Sequence, residues 1–281
     1  MTDAPRRRID AHLHLWPSTE GYDWLTEALA PICRGFTAEE ARSAITAHGY
    51  DEAVLVQAAD TEADTEWLLE TAEAHDWIRG VVGWVPLDDP HRAERRLDAL
   101  AGRPLVGIRV LLNDQPDASL LDRAAARQTL ALLASRGLPF DVHDAWPHHL
   151  GRAACAAREI DGLTMVLDHL GKPPTEPDDH DAWQAALREF AAAPGTVAKL
   201  SGLHRMGATL PPDAFDRVWE AALAAFGPDR LMLGSDWPLP LLGEGLAPVA
   251  AQLEAAVATL SAAERRQLEA GTAARVYGLP A

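Results

Sequence analysis

Two histidines separated by one residue stand at the end of an apolar segment near the start of the chain. They are His12 and His14 in I-D-A-H-L-H-L. Side chains alternate between the two faces of a β-strand, so both imidazoles would point to one side, together with Asp10. Two imidazoles on a buried face are costly unless a metal, a carboxylate or a substrate binds them. The pair therefore indicates a functional site on the interior face of the strand.

Three later apolar segments also end in polar residues. They end in His143 of P-F-D-V-H, His169 of L-D-H-L-G-K-P and Asp236 of G-S-D-W-P. Imidazole nitrogen and carboxylate oxygen are ligands that zinc accepts while one coordination position stays open for water. Taken alone, each motif is typical of a structural histidine or a helix-capping aspartate. Because all of them follow apolar segments, we predict that they converge with His12 and His14 at one site.

Short apolar segments that would position these residues alternate with longer segments of helical periodicity along the whole chain. Residues Thr37–Gly49 begin with a capping box, and Ala118–Gly137 repeats apolar residues near the helical period. Eight segments are predicted strands: Arg8–Leu15, Glu52–Ala58, Ile78–Val85, Leu105–Leu111, Pro139–His143, Leu163–His169, Thr196–Gly202 and Arg230–Asp236.

Eight strands and about eight helices with short connections predict right-handed βαβ units. Strands that are apolar almost throughout fit a closed (β/α)8 TIM barrel, an α/β fold, better than an open sheet. Neither glycine-rich phosphate-binding motif of open sheets follows a strand. Since no linker or repeat is present, residues 1–281 are predicted to form a single domain. In such a barrel the polar strand ends share the face that carries active sites.

The composition argues against several classes of protein. The chain has 281 residues, 42 acidic and 25 basic, and a formal net charge of −17. Nucleic acids and anionic membranes would repel such a chain, so we expect neither as a partner. No apolar run is long enough for a secretory signal or a membrane span, so a cytoplasmic location is expected. The two cysteines are far apart and predict no disulfide framework.

Several motifs, in order along nearly the whole chain, resemble the amidohydrolase superfamily. Within it they are most similar to the amidohydrolase-related (amidohydrolase 2) branch, which includes sugar-acid lactonases and 2-pyrone-4,6-dicarboxylate lactonase. The D-H-x-G-K-P and G-S-D-W-P motifs are fairly specific to that branch, whereas His-x-His is shared by the superfamily. The resemblance implies a (β/α)8 barrel that hydrolyses an ester-like carbonyl. The motifs are I-D-A-H-L-H-L-W, G-W-V-P-L, G-I-R, L-D-H-L-G-K-P, K-L-S-G-L, L-M-L-G-S-D-W-P and G-T-A-A-R-V-Y-G.

The resemblance also implies roles for individual residues. Asp236 matches the strand-eight aspartate that serves as general base, and His169 matches the strand-six histidine. Arg109 matches a strand-four arginine that contacts substrate. Arg205 falls where some members place a substrate-binding arginine. The His-x-His motif matches the strand-one pair of the superfamily.

One position departs from the branch and bears on a cofactor. Many lactonases of the branch carry an apolar residue where His143 stands, and some of them work without metal. The wider superfamily uses a strand-five histidine as a ligand, notably in its amino-carboxymuconate semialdehyde decarboxylase branch. His143 therefore favours one zinc or other divalent ion, and the expected ligands are His12, His14, His143 and Asp236. A metal-free reaction is the alternative.

Residues near other strand ends are predicted to bind the substrate. They are Trp16, Gln57 and Trp84, and flat rings suit a sugar or an aromatic ring. For each tryptophan, filling of the core is an equally good interpretation.

The predicted reaction is hydrolysis of a small sugar-acid or muconate/pyrone-type lactone, a small-molecule partner. Asp236 would take a proton from the attacking water, and His169 and Arg109 would stabilise the oxyanion. Isomerisation between lactone ring sizes would use the same groups. Two alternatives are a zinc-dependent non-oxidative decarboxylase of a small aromatic or muconate acid and a non-catalytic binding barrel. The sequence predicts no particular oligomeric state.

Overall fold

The computed structural model describes residues 7–112 and 117–280. Within these ranges eight parallel strands stand side by side in the order β1-β2-β3-β4-β5-β6-β7-β10, which confirms the predicted TIM barrel. Each of the eight predicted segments contains one of them. The barrel strands are β1 (Ile9–Leu13), β2 (Glu52–Val56), β3 (Ile78–Gly83), β4 (Leu105–Val110), β5 (Phe140–Val142), β6 (Met165–Leu167), β7 (Thr196–Leu200) and β10 (Leu231–Leu233).

Helices connect successive strands. The capping box predicted at Thr37 is present, and the segment predicted as one helix over Ala118–Gly137 is divided into a short 3-10 turn and α4. A small antiparallel hairpin, β8 (His204–Arg205) with β9 (Ala208–Thr209), follows β7. The helices are α1 (Ala38–Thr46), α2 (Glu62–Ala74), α3 (Pro90–Ala99), α4 (Ala124–Ser135), α5 (Leu150–Glu159), α6 (His180–Ala191), α7 (Pro212–Phe226), α8 (Leu246–Ala258), α9 (Ala262–Arg266) and α10 (Thr272–Val276).

Two backbone hydrogen bonds join the segment after β10 to β1. The Asp236 amide donates to the His12 carbonyl oxygen at 2.9 Å, and the His14 amide donates to the Trp237 carbonyl oxygen at 2.8 Å. Gly234 lies directly against β1, where a Cβ atom would stand 2.6 Å from the Cβ of His12. A side chain at position 234 would therefore separate the two segments that carry His12, His14 and Asp236.

An apolar cluster fills the interior of the barrel. Its members come from strands on opposite sides of the ring, which can meet only through the interior. The C-terminal Tyr277 belongs to the cluster, and its hydroxyl donates to Asp141 at 2.9 Å. The interior is therefore apolar on the side of Tyr277 and polar on the other side of this contact, towards the carboxyl ends of the strands. The cluster consists of Ile9, Ala11, Val54, Val56, Val82, Val166, Val197, Met232, Ala270, Ala273, Tyr277 and Leu279.

The first strand departs from strict alternation. Its pairing with β2 shifts register between Asp10 and Leu13. Asp10 accepts hydrogen bonds from the Ser235 amide at 2.8 Å and the His12 amide at 3.2 Å, while Ala11 packs in the interior cluster. Asp10 thus stabilises the closure of the barrel, and does not share the direction of His12 as alternation had predicted.

A buried carboxylate joins two of the connections above the barrel. Asp64, in the first turn of α2, accepts hydrogen bonds from the Tyr22 hydroxyl at 2.5 Å and the Ala58 amide at 3.0 Å. Burial raises the pKa of Asp64 from 3.8 to about 6, because it outweighs the opposing effect of these hydrogen bonds.

We predict that the contribution of Asp64 to stability decreases as the pH rises from about 4 to about 6. A carboxyl group whose pKa is higher in the folded chain binds its proton more tightly there, so the folded state is favoured at acid pH and loses that advantage as the pH rises through the folded pKa. Urea denaturation should show that the difference in unfolding free energy between wild type and Asp64→Asn falls by up to about 3 kcal/mol between about pH 4 and pH 7. The exposed Asp161→Asn variant is the control. A wild-type-to-Asp64→Asn difference that is equal at both pH values would contradict the raised pKa.

Candidate active site

A cavity of about 210 Å³ opens at the carboxyl ends of the barrel strands. This is the face on which barrel enzymes bind their substrates. Most of the lining is polar, so the cavity suits a ligand rich in hydrogen-bonding groups. The polar lining residues are His14, Arg109, His143, Asp144, His169, Lys172 and Asp236, and the apolar ones are Trp24, Ala58, Leu111 and Leu239.

Three buried side chains at the inner end of the cavity form a compact donor group, His12, His14 and Asp236. The two Nε2 atoms lie 3.1 Å apart. Asp236 Oδ1 lies 3.7 Å from His12 Nε2 and 3.5 Å from His14 Nε2. Donors about 2.0 Å from a tetrahedral zinc ion stand about 3.3 Å from one another. The spacing of the donor group therefore matches the ligands of one ion.

The surrounding hydrogen bonds leave lone pairs free within the donor group. His14 Nδ1 lies 2.8 Å from the Val56 carbonyl oxygen. A carbonyl can only accept, so in the neutral ring Nδ1 carries the proton and Nε2 carries a lone pair. Asp236 Oδ1 is buried and has no hydrogen-bond partner among the residues described. Lone pairs at this distance repel one another unless a cation or a proton lies between them, so these residues fit a divalent metal ion.

His204 binds the second oxygen of Asp236. Its Nε2 lies 3.0 Å from Asp236 Oδ2, and the Gly207 amide donates to its Nδ1 at 3.2 Å. Because Nδ1 accepts a hydrogen bond, the neutral ring carries its proton on Nε2 and donates it to Asp236. The β8–β9 hairpin thereby orients the carboxylate so that Oδ1 points towards His12 and His14.

His169 approaches the same carboxylate from the end of β6. Its Nε2 lies 3.8 Å from Asp236 Oδ1, and its Nδ1 forms a hydrogen bond of 2.9 Å with the Ser201 hydroxyl. Gly202 leaves the space that the ring occupies, since a Cβ there would stand 2.3 Å from His169 Nδ1. The end of β7 therefore determines where His169 stands.

A buried ion-pair network supports the donor group from the barrel interior. Lys199 Nζ lies 2.5 Å from Asp141 Oδ2 and 3.0 Å from Asp168 Oδ1. Asp168 also lies 3.3 Å from His12 Nδ1 and 3.3 Å from Arg109 Nη1. The cations Lys199 and Arg109 thus balance the charges of the two carboxylates. A buried charge of either sign without its partner would be costly.

Burial and neighbouring groups determine the charge of the site. Burial acts to raise the pKa of Asp236, but the neighbouring imidazoles, that of His169 foremost and that of His204 through its hydrogen bond, hold it well below 3.8. Burial lowers the pKa of His12 to about 3 and that of His169 well below 6.5. Near neutral pH an ionised carboxylate therefore faces the uncharged rings of His12 and His169, which can act as ligands or proton acceptors.

Among the predicted substrate-binding residues, Arg109 lines the cavity and the other four do not. Gln57 is fully buried, and its backbone carbonyl oxygen accepts a hydrogen bond from Arg109. It therefore positions Arg109 without reaching the cavity. Arg205 is half-buried and donates to the Pro173 carbonyl oxygen.

The two predicted tryptophans pack away from the cavity. Trp16 is fully buried, and its Nε1 donates to the Arg34 carbonyl oxygen at 2.6 Å. β1 ends at Leu13, so strand alternation no longer determines the direction of Trp16. Trp24, which stands edge-on to Trp16 at 5.3 Å, lines the cavity instead. Trp84 lies outside the cavity lining as well.

His143 lines the cavity but lies outside the donor group. β5 ends at Val142, so the strand pleat no longer sets the direction of His143. Its ring stands edge-on to His169 with centroids 6.3 Å apart, and its Nε2 lies 3.7 Å from Asp144 Oδ1. The expected four-residue ligand set is thereby reduced to the three-residue donor group.

Five residues in or around the site were not among the predicted site residues. Lys199 and Asp168 stand inside the K-L-S-G-L and L-D-H-L-G-K-P motifs, and a lysine in an otherwise apolar strand is a recognisable sign of an interior charge. His204, Asp144 and Trp24 lie outside the barrel strands, where no periodicity indicates direction.

Comparisons of the sequence with known proteins give matches over most of the chain. The sequence profile of the amidohydrolase family Amidohydro_2 matches residues 9–279. An L-fucono-1,5-lactonase from Burkholderia multivorans is 37% identical over 97% of this chain and 96% of its own. An L-fucono-1,5-lactonase from Burkholderia ambifaria is 34% identical over 84% of this chain and 81% of its own.

No helix in the part of the chain that the structure describes is long and apolar enough to span a membrane.

Solved structures show the same architecture. A crystal structure of an amidohydrolase from Burkholderia multivorans with bound zinc has a TM-score of 0.88 and 36% identity, and covers 98% of this chain and 100% of its own. A probable 2-pyrone-4,6-dicarboxylic acid hydrolase from Acinetobacter baumannii has a TM-score of 0.76 and 21% identity over 97% of this chain and 100% of its own, and thus shares the fold.

We predict that Lys199→Met lowers the free energy of unfolding by about 3–5 kcal/mol, measured by urea denaturation, because it leaves buried Asp141 without its cation and Asp168 with Arg109 alone. Adding Asp141→Asn removes one of these charges and should recover part of the loss. A loss below about 1 kcal/mol, or a double variant less stable than the single one, would contradict the charge balance described here.

Proposed function

The chain belongs to the amidohydrolase family, and we propose that it hydrolyses the ring ester of a sugar-acid lactone. The observation that carries this proposal is Asp236 Oδ1, which is buried, has no hydrogen-bond partner among the residues described, and is approached by His12, His14 and His169 at 3.7, 3.5 and 3.8 Å. A fixed, ionised oxygen at the inner end of a polar cavity is suited to take a proton from water. The similarity to L-fucono-1,5-lactonases supports a lactone as substrate.

In the proposed reaction, water attacks the lactone carbonyl carbon while Asp236 Oδ1 accepts one of its protons. The bond between the carbonyl carbon and the ring oxygen then breaks. His169 then carries the proton from Asp236 to the leaving alkoxide. The product is an open-chain hydroxy acid, which ionises at neutral pH and releases a proton to solution. His204 binds Oδ2 throughout and keeps Oδ1 directed at the reacting atoms.

Arg109 is suited to stabilise the negative charge that develops on the carbonyl oxygen. Its guanidinium lines the cavity and is held by Asp168 and by the Gln57 carbonyl oxygen. A donor that is already oriented does not have to reorganise during the reaction, and such donors contribute much of the rate in acyl transfer.

The donor group of His12, His14 and Asp236 would hold one divalent ion. Zinc is supported by the amidohydrolase structure that contains it. When bound, the ion would polarise the carbonyl and lower the pKa of a neighbouring water.

The charges of the cavity support a sugar-acid lactone over an acidic substrate. Asp144 and Asp236 line the cavity, the Arg109 cation already faces Asp168, and Lys172 is the other cation of the lining. A substrate with carboxylates would bring further negative charge, whereas a sugar lactone is neutral and offers hydroxyl groups. The alternative reaction, decarboxylation, was favoured by His143 as an expected metal ligand. Because His143 lies outside the donor group, it no longer favours that reaction.

We predict that Asp236→Asn lowers kcat by about 10²–10⁴-fold on L-fucono-1,5-lactone, because the amide cannot accept the proton of water. Proton release followed with a pH indicator measures the rate, and circular dichroism checks the fold. Asp161→Asn, at an exposed turn, should retain wild-type activity. A wild-type enzyme inactive on every lactone would refute the proposed function, and an active Asp236→Asn variant would refute the role of Asp236.

The donor group also predicts one divalent ion per chain in protein purified without chelators, measured by elemental analysis. His14→Ala should lose the ion because it removes a donor atom, whereas His143→Ala should retain it. Loss of the ion in His143→Ala would restore His143 as a ligand, and wild-type protein without metal after growth in zinc would contradict the site.

A further inference from the structure

The carboxylate of Asp144 is a polar part of the cavity wall that the proposed reaction does not use. Asp144 is the second residue after β5, and its Oδ1 is buried without a hydrogen-bond partner among the residues described. The atom that approaches this oxygen is His143 Nε2 at 3.7 Å, beyond hydrogen-bonding distance. A buried carboxylate oxygen without a partner is costly, which indicates that a ligand satisfies it.

The backbone of Asp144 supports the same conclusion. Six non-glycine residues of the described ranges have positive φ, and four of them line the cavity. Residues in this conformation collect at functional sites, where the surrounding structure holds them. The reaction accounts for two of the four. Asp144, with φ of 39°, and Lys172, with φ of 63°, are the other two.

The charge of Asp144 suits a ligand that donates hydrogen bonds. Burial acts to raise the pKa of Asp144, but His143 and Lys172 outweigh it and hold the pKa below 3.8, so the group is ionised. An ionised carboxylate only accepts hydrogen bonds, so its partner must be a hydroxyl or an N–H group. The cations Lys172 and Arg205 also lie near this carboxylate.

We propose that Asp144 is a specificity-determining residue that accepts hydrogen bonds from ring hydroxyl groups of the substrate. The proposal rests on lactone hydrolysis as the function and narrows the substrate to polyhydroxylated lactones. Asp236 acts at the carbonyl end of the ring. Asp144, on the far side of His143 and His169, binds the hydroxyl-bearing part.

Two lactones with the same ring size test the proposal, L-fucono-1,5-lactone and unsubstituted δ-valerolactone. The measured quantity is the ratio of their kcat/KM values in wild type, Asp144→Asn and Asp144→Gly. Asparagine and glycine both accept a positive φ, so neither variant strains the backbone. The ratio should fall about 10-fold in Asp144→Asn, which keeps a weaker acceptor, and about 100-fold in Asp144→Gly. Most of the change should appear in KM for the hydroxylated lactone.

The outcomes separate this proposal from the proposed function. Asp161→Asn, an exposed aspartate before β6, should leave the ratio at its wild-type value. A ratio unchanged in both Asp144 variants, or a wild type without preference for the hydroxylated lactone, overturns the role of Asp144 while lactone hydrolysis stands. A wild type that hydrolyses neither lactone overturns the proposed function and this inference together.

Discussion

The candidate active site depends on the closure of the barrel between β1 and the segment after β10. The backbone hydrogen bonds of Asp236 and His14 across this closure place residues from opposite ends of the chain beside one another. Gly234 permits the close approach, since its lack of a side chain leaves room for His12. The donor group, its free lone pairs and the orientation of Asp236 all follow from this arrangement. Closure of the barrel is therefore a functional requirement as well as a structural one.

A layer of balanced charge separates the apolar interior from the cavity. The chain has two lysines in all; Lys199 is fully buried in this layer and Lys172 lines the cavity. The compact ammonium group of Lys199 has three protons and three neighbours, namely Asp141, Asp168 and His12. A planar guanidinium would not place its charge at one point among these three groups in the same space. The layer thus supplies oriented charges beneath the site, and its stability depends on every one of its charged members.

The strands and the convergence of residues at their ends could be predicted from the sequence, whereas the direction of each side chain beyond a strand end could not. The predicted strands contain the observed ones, and His12, His14 and Asp236 converge as the strand ends suggested. Trp16 and His143 were predicted to reach the site because they lie near the ends of predicted strands, but β1 ends at Leu13 and β5 at Val142. Beyond a strand end the pleat no longer directs side chains, and local turns and hydrogen bonds decide where they point.

The sequence by itself determined the barrel, the strong negative charge and the residue types available for hydrolysis, because these depend on composition and on periodicity over a few residues. Only the tertiary structure decided that His204 orients Asp236, that Lys199 balances Asp141 and Asp168, and that Asp144 faces the cavity. Hydrogen bonds and ion pairs act over about 3 Å. Whether residues far apart along the chain come within that distance is set by the closure of the barrel and by its loops, and no short-range pattern records it.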